Sequence, residues 1–221
     1  MTVGDPDPSN DGESVRCEHL ARLTRLSAGS PGPTVRSLEG LEYAISLETL
    51  NFWVIPLPLP GSYSPHLVES LEPLRNLPNL RSVHIEGRGE LDLEPLTSLP
   101  MLDELALVGF RVTHIESLLR LEGLDLVALS GAGIEDIALL AGWDKPPRHL
   151  SLQGNRIRGV SPLMMNPNFG PGYEIDITYN CLARSTTLMY EPLWSNLAID
   201  GLRERGVKFL AWPQSACDSD R

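Results

Sequence analysis

Apolar residues return at a fixed interval through the middle of the chain. Leu80, Leu102 and Leu124 are each 22 residues apart, and apolar residues follow each of them at the third and fifth positions. Those last two alternate with other residues, as in a strand with one buried face. The repeated set is Leu80, Val83 and Ile85, then Leu102, Leu105 and Leu107, then Leu124, Val127 and Leu129. Because a unit of this length cannot bury its apolar face alone, the pattern predicts a stack of parallel strands with one strand per repeat.

A period between 20 and 29 residues, with one strand and one return segment per unit, is typical of leucine-rich repeats. We therefore expect an α/β solenoid, a leucine-rich-repeat horseshoe with a parallel sheet on its concave side. Short 3-10 or irregular segments should form the convex side. The expected strands contain Leu26, Leu50, Val83, Leu105, Val127, Leu150 and Ile175.

One insertion and two tails depart from the repeat. The interval from Leu47 to Leu80 is 11 residues longer than the period and includes the text PLPLPGSYSP. Its prolines lack a backbone donor and favour an extended path, so this insertion is either a passive edge loop or a loop over the concave mouth. The predicted divisions are a disordered acidic tail at 1–13, the solenoid at 14–183 with the proline-rich insertion at 53–70, a C-terminal helix-strand cap at 184–213 and a flexible tail at 214–221.

The cap is predicted from a change of spacing near the C-terminus. Apolar residues over 192–205 follow helical spacing, Gly206 is placed to end that helix, and 207–212 alternates like a strand. A terminal repeat would otherwise leave its inner face open to water, so a distinct unit of this kind suits the end of a solenoid.

The outward positions of the strands define the candidate binding surface, because alternate strand residues point to opposite faces. An apolar middle with polar ends is the composition of many protein interfaces, and Trp53 is the best single anchor unless it packs under the insertion. The predicted protein-binding residues are Asn51, Trp53, Ser82, His84, Glu86, Glu104, Ala106, Val108, Leu126, Ala128, His149, Ser151, Gln153, Glu174 and Asp176.

Each repeat also has a site where an asparagine amide can satisfy backbone groups at the bend, within the scheme LxxLxLxxNxIxxIxxL. Asn155 and Asn180 occupy it in the last two units. Earlier units carry other residues there, so we expect a less regular hydrogen-bond ladder in the first half. Those residues are Ile55, Arg88, Phe110 and Ala132.

The runs VRSLEGLEYAISLETLNF, LEPLRNLPNLRSVHI and GNRIRGVSPL, with the ending IDGLRERGVKFLAWPQ, resemble bacterial internalin-like leucine-rich-repeat proteins with short 22-residue repeats. The resemblance extends over about residues 20 to 214. It implies an interaction scaffold and supplies no catalytic residues to transfer.

Composition narrows the function further. The net charge of −11 disfavours nucleic acid and anionic membranes as partners, since both attract basic surfaces. No secretory signal, membrane span or catalytic motif is recognisable, and the three widely spaced cysteines suggest reduced thiols in a cytoplasm. Cys17, Glu18 and His19 are consecutive and so poorly placed to share a metal ion, while His84 and His149 should lie about 14 Å apart, three strand spacings.

The sequence therefore predicts a monomeric, cytoplasmic, non-enzymatic protein-protein interaction module without metal or cofactor. It would bind a protein partner through the concave face of the sheet. The alternative is a regulatory or scaffolding accessory subunit of a separately encoded enzyme.

Overall fold

A computed structural model describes residues 17–30, 34–54, 65–182 and 191–212. The two predicted tails and the text PLPLPGSYS of the insertion lie outside these residues. The expectations for those segments therefore stay predictions.

One parallel sheet of eight strands, arranged in sequence order, runs through the described chain. All seven strands expected from the repeat are present, and the strand of the C-terminal cap joins the same sheet as the eighth. The strands are β1 (Arg25–Ser30), β2 (Thr49–Val54), β3 (Ser82–Asp92), β4 (Glu104–Thr113), β5 (Leu126–Ala128), β6 (His149–Ser151), β7 (Glu174–Asp176) and β8 (Lys208–Leu210).

The return segments are short and mostly 3-10 helical, as expected for the convex side. Three α-helices complete the described structure: α1 (Cys17–Leu20), α2 (Ser161–Met165) and α3 (Glu191–Glu204). The 3-10 helices are Leu41–Tyr43, Glu72–Leu74, Glu94–Ser98, Ile115–Arg120 and Ala138–Gly142. None of the helices in the described ranges is long and apolar enough to cross a membrane.

The strand register reproduces the 22-residue period. Val83 lies beside Leu105, and Leu105 lies beside Val127, so equivalent apolar side chains form continuous columns through the core. The nine repeated apolar residues are all buried, and Leu105 has no exposed surface. Burying one such side chain contributes roughly 1.5–3 kcal/mol, so the stacked columns supply much of the stability of the solenoid.

The asparagine site works as expected in the last repeats. Asn155 is buried, its Nδ2 donates to Leu129 O at 2.7 Å and Leu152 O at 2.9 Å, and its Oδ1 accepts the Ile134 N–H at 3.1 Å. Asn180 makes the equivalent three bonds one repeat later, at distances between 2.8 and 3.0 Å. Each amide therefore joins its own repeat to the one before it.

In the middle repeats, backbone hydrogen bonds between strands take the place of the asparagine amide. β3 and β4 pair a second time beyond a β-bulge, from Gly89 opposite Phe110 to Asp92 opposite Thr113. Phe110, at an asparagine site, is fully buried. Because no amide is available there to satisfy the bend, the two chains extend and satisfy each other. The sequence predicted the irregularity but not these longer strands.

Carboxylates and bases of successive repeats meet outside the sheet. His114 Nδ1 lies 2.9 Å from Asp92 Oδ1, and Arg156 Nη1 lies 2.8 Å from Glu135 Oε1. The hydrogen bond that the His114 ring donates to the Asp92 carboxylate, together with the negative charge of Asp92, raises the pKa of His114. These side chains are about half exposed, so each pair adds little to stability by itself.

The C-terminal cap follows the predicted helix and strand closely. α3 ends before Gly206, which has φ of +85°, and the Val207 N–H donates to Leu202 O at 3.1 Å. This left-handed glycine with a hydrogen bond back across the last turn is a common helix ending. It turns the chain directly into β8.

Cys181 is disulfide-bonded. The sequence-based expectation of three reduced thiols is therefore wrong for this residue. Spacing along the chain cannot reveal such a bond, because disulfide connectivity depends on which residues the fold brings together.

Candidate functional site

The outward side chains of the sheet form continuous rows across the strands. The central row is Ser27, Asn51, His84, Ala106, Ala128, Ser151, Asp176 and Leu210. A second row is Arg25, Thr49, Ser82, Glu104, Leu126, His149, Glu174 and Lys208. Trp53 lies beside Gly29, and Glu86 lies beside Val108, in a third row. All the predicted binding residues thus lie on strands of this sheet except Gln153, which follows β6 by two residues.

The middle of this face is apolar and recessed. Ala106 is only 9% exposed, while Val108, Leu126 and Ala128 are half-buried. Small and partly buried side chains therefore present little side-chain surface at the centre of the face. Ala106 itself offers little surface, so the sequence overstated its direct contribution.

Trp53 stands at the N-terminal end of the face, against a glycine. A Cβ built on Gly29 would lie 2.5 Å from Cε2 of the Trp53 indole, so the ring packs closely over the Gly29 backbone. The ring is half-buried by this contact. The close approach explains why a residue without a side chain is needed at position 29.

Glu86 joins β2 to β3 beside this tryptophan. Its Oε2 accepts the Val54 N–H at 2.9 Å, and its Oε1 lies 3.0 Å from His84 Nε2. Nearby, the Asn51 Oδ1 is shielded from solvent and has no hydrogen-bond partner among the residues that the structure describes. Glu86 and His84 are therefore held in place before any partner arrives. The contact to Val54 spans 32 residues, so local sequence patterns could not reveal it.

The C-terminal end of the face is more charged. Lys208 Nζ lies 2.8 Å from Glu174 Oε1, and His149 Nδ1 lies 4.0 Å from Glu174 Oε2. Next to them, Leu210 is 38% exposed and Trp212 is 40% exposed. The sequence assigned 207–212 to a cap and so missed these contributors. Their alternation with the buried Phe209 and Ala211 was the signal that they belong to the face.

The histidines of the face are far apart, as expected. His84 lies on β3 and His149 on β6, with two strands between them. Within the part of the chain that the structure describes, no three His, Cys, Asp or Glu residues are grouped to hold a metal ion. A groove of about 410 Å³ lies away from the sheet, between the first two return segments, and its acidic lining includes Glu39, Glu42, Glu69 and Glu72.

Solved structures similar to this chain include bacterial proteins. Internalin C2 from Listeria monocytogenes superposes with a TM-score of 0.51 at 21% identity, covering 90% of this chain and 84% of that one. The chain has the fold of an internalin-like leucine-rich-repeat protein. A leucine-rich-repeat protein from Leptospira interrogans gives a TM-score of 0.54 at 16% identity over 80% of this chain. This chain covers only 40% of that protein.

Listeria internalin F is also similar, at 18% identity and a TM-score of 0.42, covering 92% of this chain and 85% of that one. No protein-family model matches the chain, and no curated protein matches it in sequence. The internalin-like expectation for fold is confirmed. Leucine-rich-repeat solenoids present an extended concave surface, and the parallel sheet of this chain forms a surface of that kind.

Proposed function

We propose that this chain is a non-enzymatic module that binds a protein partner, as a monomer and without a cofactor, through the concave face of its leucine-rich-repeat sheet. One observation carries the proposal: eight strands in register present their outward side chains as continuous rows with an apolar middle and polar ends. This is the arrangement of a protein interface rather than of a closed small-molecule site.

The size of the face defines how a partner would engage it. Eight strands at about 4.8 Å spacing make the face about 34 Å long, and two or three outward positions per strand make it roughly 7–13 Å wide. A stable interface buries about 800 Å² on each side, which is more than this flat area. The partner therefore also contacts an edge of the sheet, and the edge beside Trp53 adjoins the proline-rich insertion.

Polar residues on β3 and β4 are suited to fixing the orientation of a bound partner. Glu86 and His84 are already fixed by their bonds to each other and to Val54, so ordering them costs little on binding. Glu104 is exposed in a chain of net charge −11, and a basic group on the partner would complement it. The same negative charge disfavours nucleic acid and anionic membrane as occupants.

The experiment compares partner capture by three forms of the protein. We expect the triple variant Trp53→Ala, His84→Ala and Glu104→Ala to weaken capture of the wild type's cross-linked partner by at least about thirtyfold, because one hot spot alone is worth about 2 kcal/mol. The matched control changes an aromatic residue, a histidine and a glutamate away from the sheet: Tyr43→Ala, His114→Asn and Glu116→Ala. Asparagine is used at 114 because that residue has φ of +50°.

Quantitative mass spectrometry of the captured partner reads out both variants, with equal melting temperatures as the folding check. Equal capture by wild type and the concave variant would refute binding through this face. The accessory-subunit alternative stays a prediction, and it would be supported if the captured partner were one stoichiometric enzyme. The cytoplasmic location also stays a prediction, and the disulfide at Cys181 argues against it.

A further inference from the structure

The carboxylates toward both ends of the concave face are already paired within the chain. On β3, Glu86 lies 3.0 Å from His84 Nε2 and accepts the Val54 N–H. On β7, Glu174 lies 2.8 Å from Lys208 Nζ on β8. The negative charges at these two places are therefore balanced before any partner binds.

Glu104, at the centre of the face, differs from the other outward carboxylates. Asp176 accepts the Thr178 N–H at 2.8 Å through Oδ1. The Glu104 side chain is exposed, and no hydrogen bond or ion pair joins it to another residue in the described ranges. In its row it lies between Ser82 and Leu126, which carry no charge. The centre of the face therefore carries a carboxylate without a counter-charge of its own.

Glu104 also borders the apolar middle of the face. Leu126 lies beside it on β5, and Ala106 is the next outward residue along β4. A partner that covers these two apolar side chains also removes water from the Glu104 carboxylate. Burying a carboxylate without a hydrogen-bonded partner group is costly, so the covering surface must bring a donor, and best a cation, to this position.

We propose that the concave face selects a protein segment that places a basic side chain, arginine or lysine, on Glu104. This inference rests on the proposed function, because it assigns the chemistry of the partner at that same face. The charged head of the basic side chain bonds to the carboxylate, while its aliphatic stem lies across Leu126. Glu104 is thus a specificity-determining residue, since a neutral or acidic segment would leave its charge buried and unpaired.

The positions around Glu104 define what accompanies the basic residue. Ala106 and Ala128 lie side by side in the central row, and their side chains are small. An aliphatic residue of the partner can therefore approach the sheet closely beside the basic one. A nucleic acid does not fit the same place, because its phosphates would meet the Glu104 carboxylate with like charge.

Peptides with isosteric neutral residues test this assignment. Peptides that bind the immobilised full-length protein are selected from a random phage library and synthesised with each arginine replaced by citrulline and each lysine by acetyl-lysine. Both replacements remove the positive charge and keep the aliphatic stem. We expect one of them to weaken binding to the wild type by at least about tenfold, and to weaken binding to Glu104→Gln by less than about twofold. Whether citrulline or acetyl-lysine has this effect identifies the basic head that the site takes.

Glu116→Gln is the matched control, because Glu116 is an exposed glutamate on a return segment away from the sheet. It makes the same change of charge and should retain the full tenfold difference, with melting temperatures equal for all forms. Selected peptides that bind without a basic residue, or whose charge effect persists in Glu104→Gln, would overturn the assignment.

A variant carrying Trp53→Ala and His84→Ala separates this inference from the proposed function. Peptides that this variant weakens and Glu104→Gln leaves unchanged would overturn only the basic residue at Glu104. Peptides that bind both variants as tightly as the wild type would count against the concave face itself.

Discussion

Replacing Asn155 with alanine isolates the contribution of one ladder asparagine. The side chain is 3% exposed, and its amide satisfies backbone groups of two repeats. Ala132 occupies the equivalent position one repeat earlier. The repeats before Ala132 form the longer strands β3 and β4 in place of the asparagine bonds. Around Asn155 the strand pairing stops earlier, because β6 ends at Ser151, and it is followed by isolated backbone bonds such as that from the Arg156 N–H to Ile134 O.

The expected cost follows from which groups lose their partner. Leu152 O keeps a donor, because Asn180 Nδ2 also reaches it at 2.8 Å. Leu129 O and the Ile134 N–H lose the bonds described above. A buried polar group left unsatisfied costs about 1–3 kcal/mol, so two of them predict a loss of about 2–6 kcal/mol in the free energy of unfolding.

Guanidinium denaturation followed by circular dichroism measures this change, with an unchanged m-value as evidence for the same transition. The matched control is Asn168→Ala. Asn168 is exposed, and its bond goes to Trp143 O, which also accepts from Asn166 at 2.9 Å. We expect the control to cost less than about 0.5 kcal/mol. A loss below about 1 kcal/mol for Asn155→Ala would refute the ladder as a source of stability.

Two further predictions concern the core and the outer ion pairs. Leu105→Ala should cost about 2–5 kcal/mol in the same assay because Leu105 is fully buried, while Leu197→Ala, at a position 52% exposed, should change little, and equal losses would contradict the register. The Asp92 contact raises the pKa of His114. The contact therefore stabilises the folded protein fully below the ordinary histidine pKa of about 6.5, and this stabilisation is lost as pH rises through the raised pKa. In an NMR titration Asp92→Asn should lower the pKa of His114, and an unchanged value would remove Asp92 as the cause.

The repeat period was enough to predict most of the sheet. A strand with one buried face fixes which side chains point outward, so Ser82, His84 and Glu104 could be placed on a common face from spacing alone. The helix and strand of the cap were also readable, because Gly206 ends the one and alternation starts the other. These are local signals, and the structure confirms them.

Contacts between residues far apart in the sequence could not be predicted in this way. The bond from Val54 to Glu86 joins residues 32 positions apart, and nothing near either residue indicates it. The longer strands β3 and β4 depend on the close packing of Gly87 against His66. A Cβ at position 87 would lie 2.2 Å from His66 O. The disulfide of Cys181 likewise depends on the finished fold.

The asparagine ladder has a direction, which bears on how such an array grows. Asn155 and Asn180 each reach back to the preceding repeat, and within the described ranges neither amide bonds to the repeat that follows. A new unit carrying this asparagine therefore brings its own junction and needs only the backbone of the unit before it. Duplication of a segment such as 156–180, which carries Asn180, is thus self-sufficient at its N-terminal side, and the array can lengthen internally without new residues elsewhere.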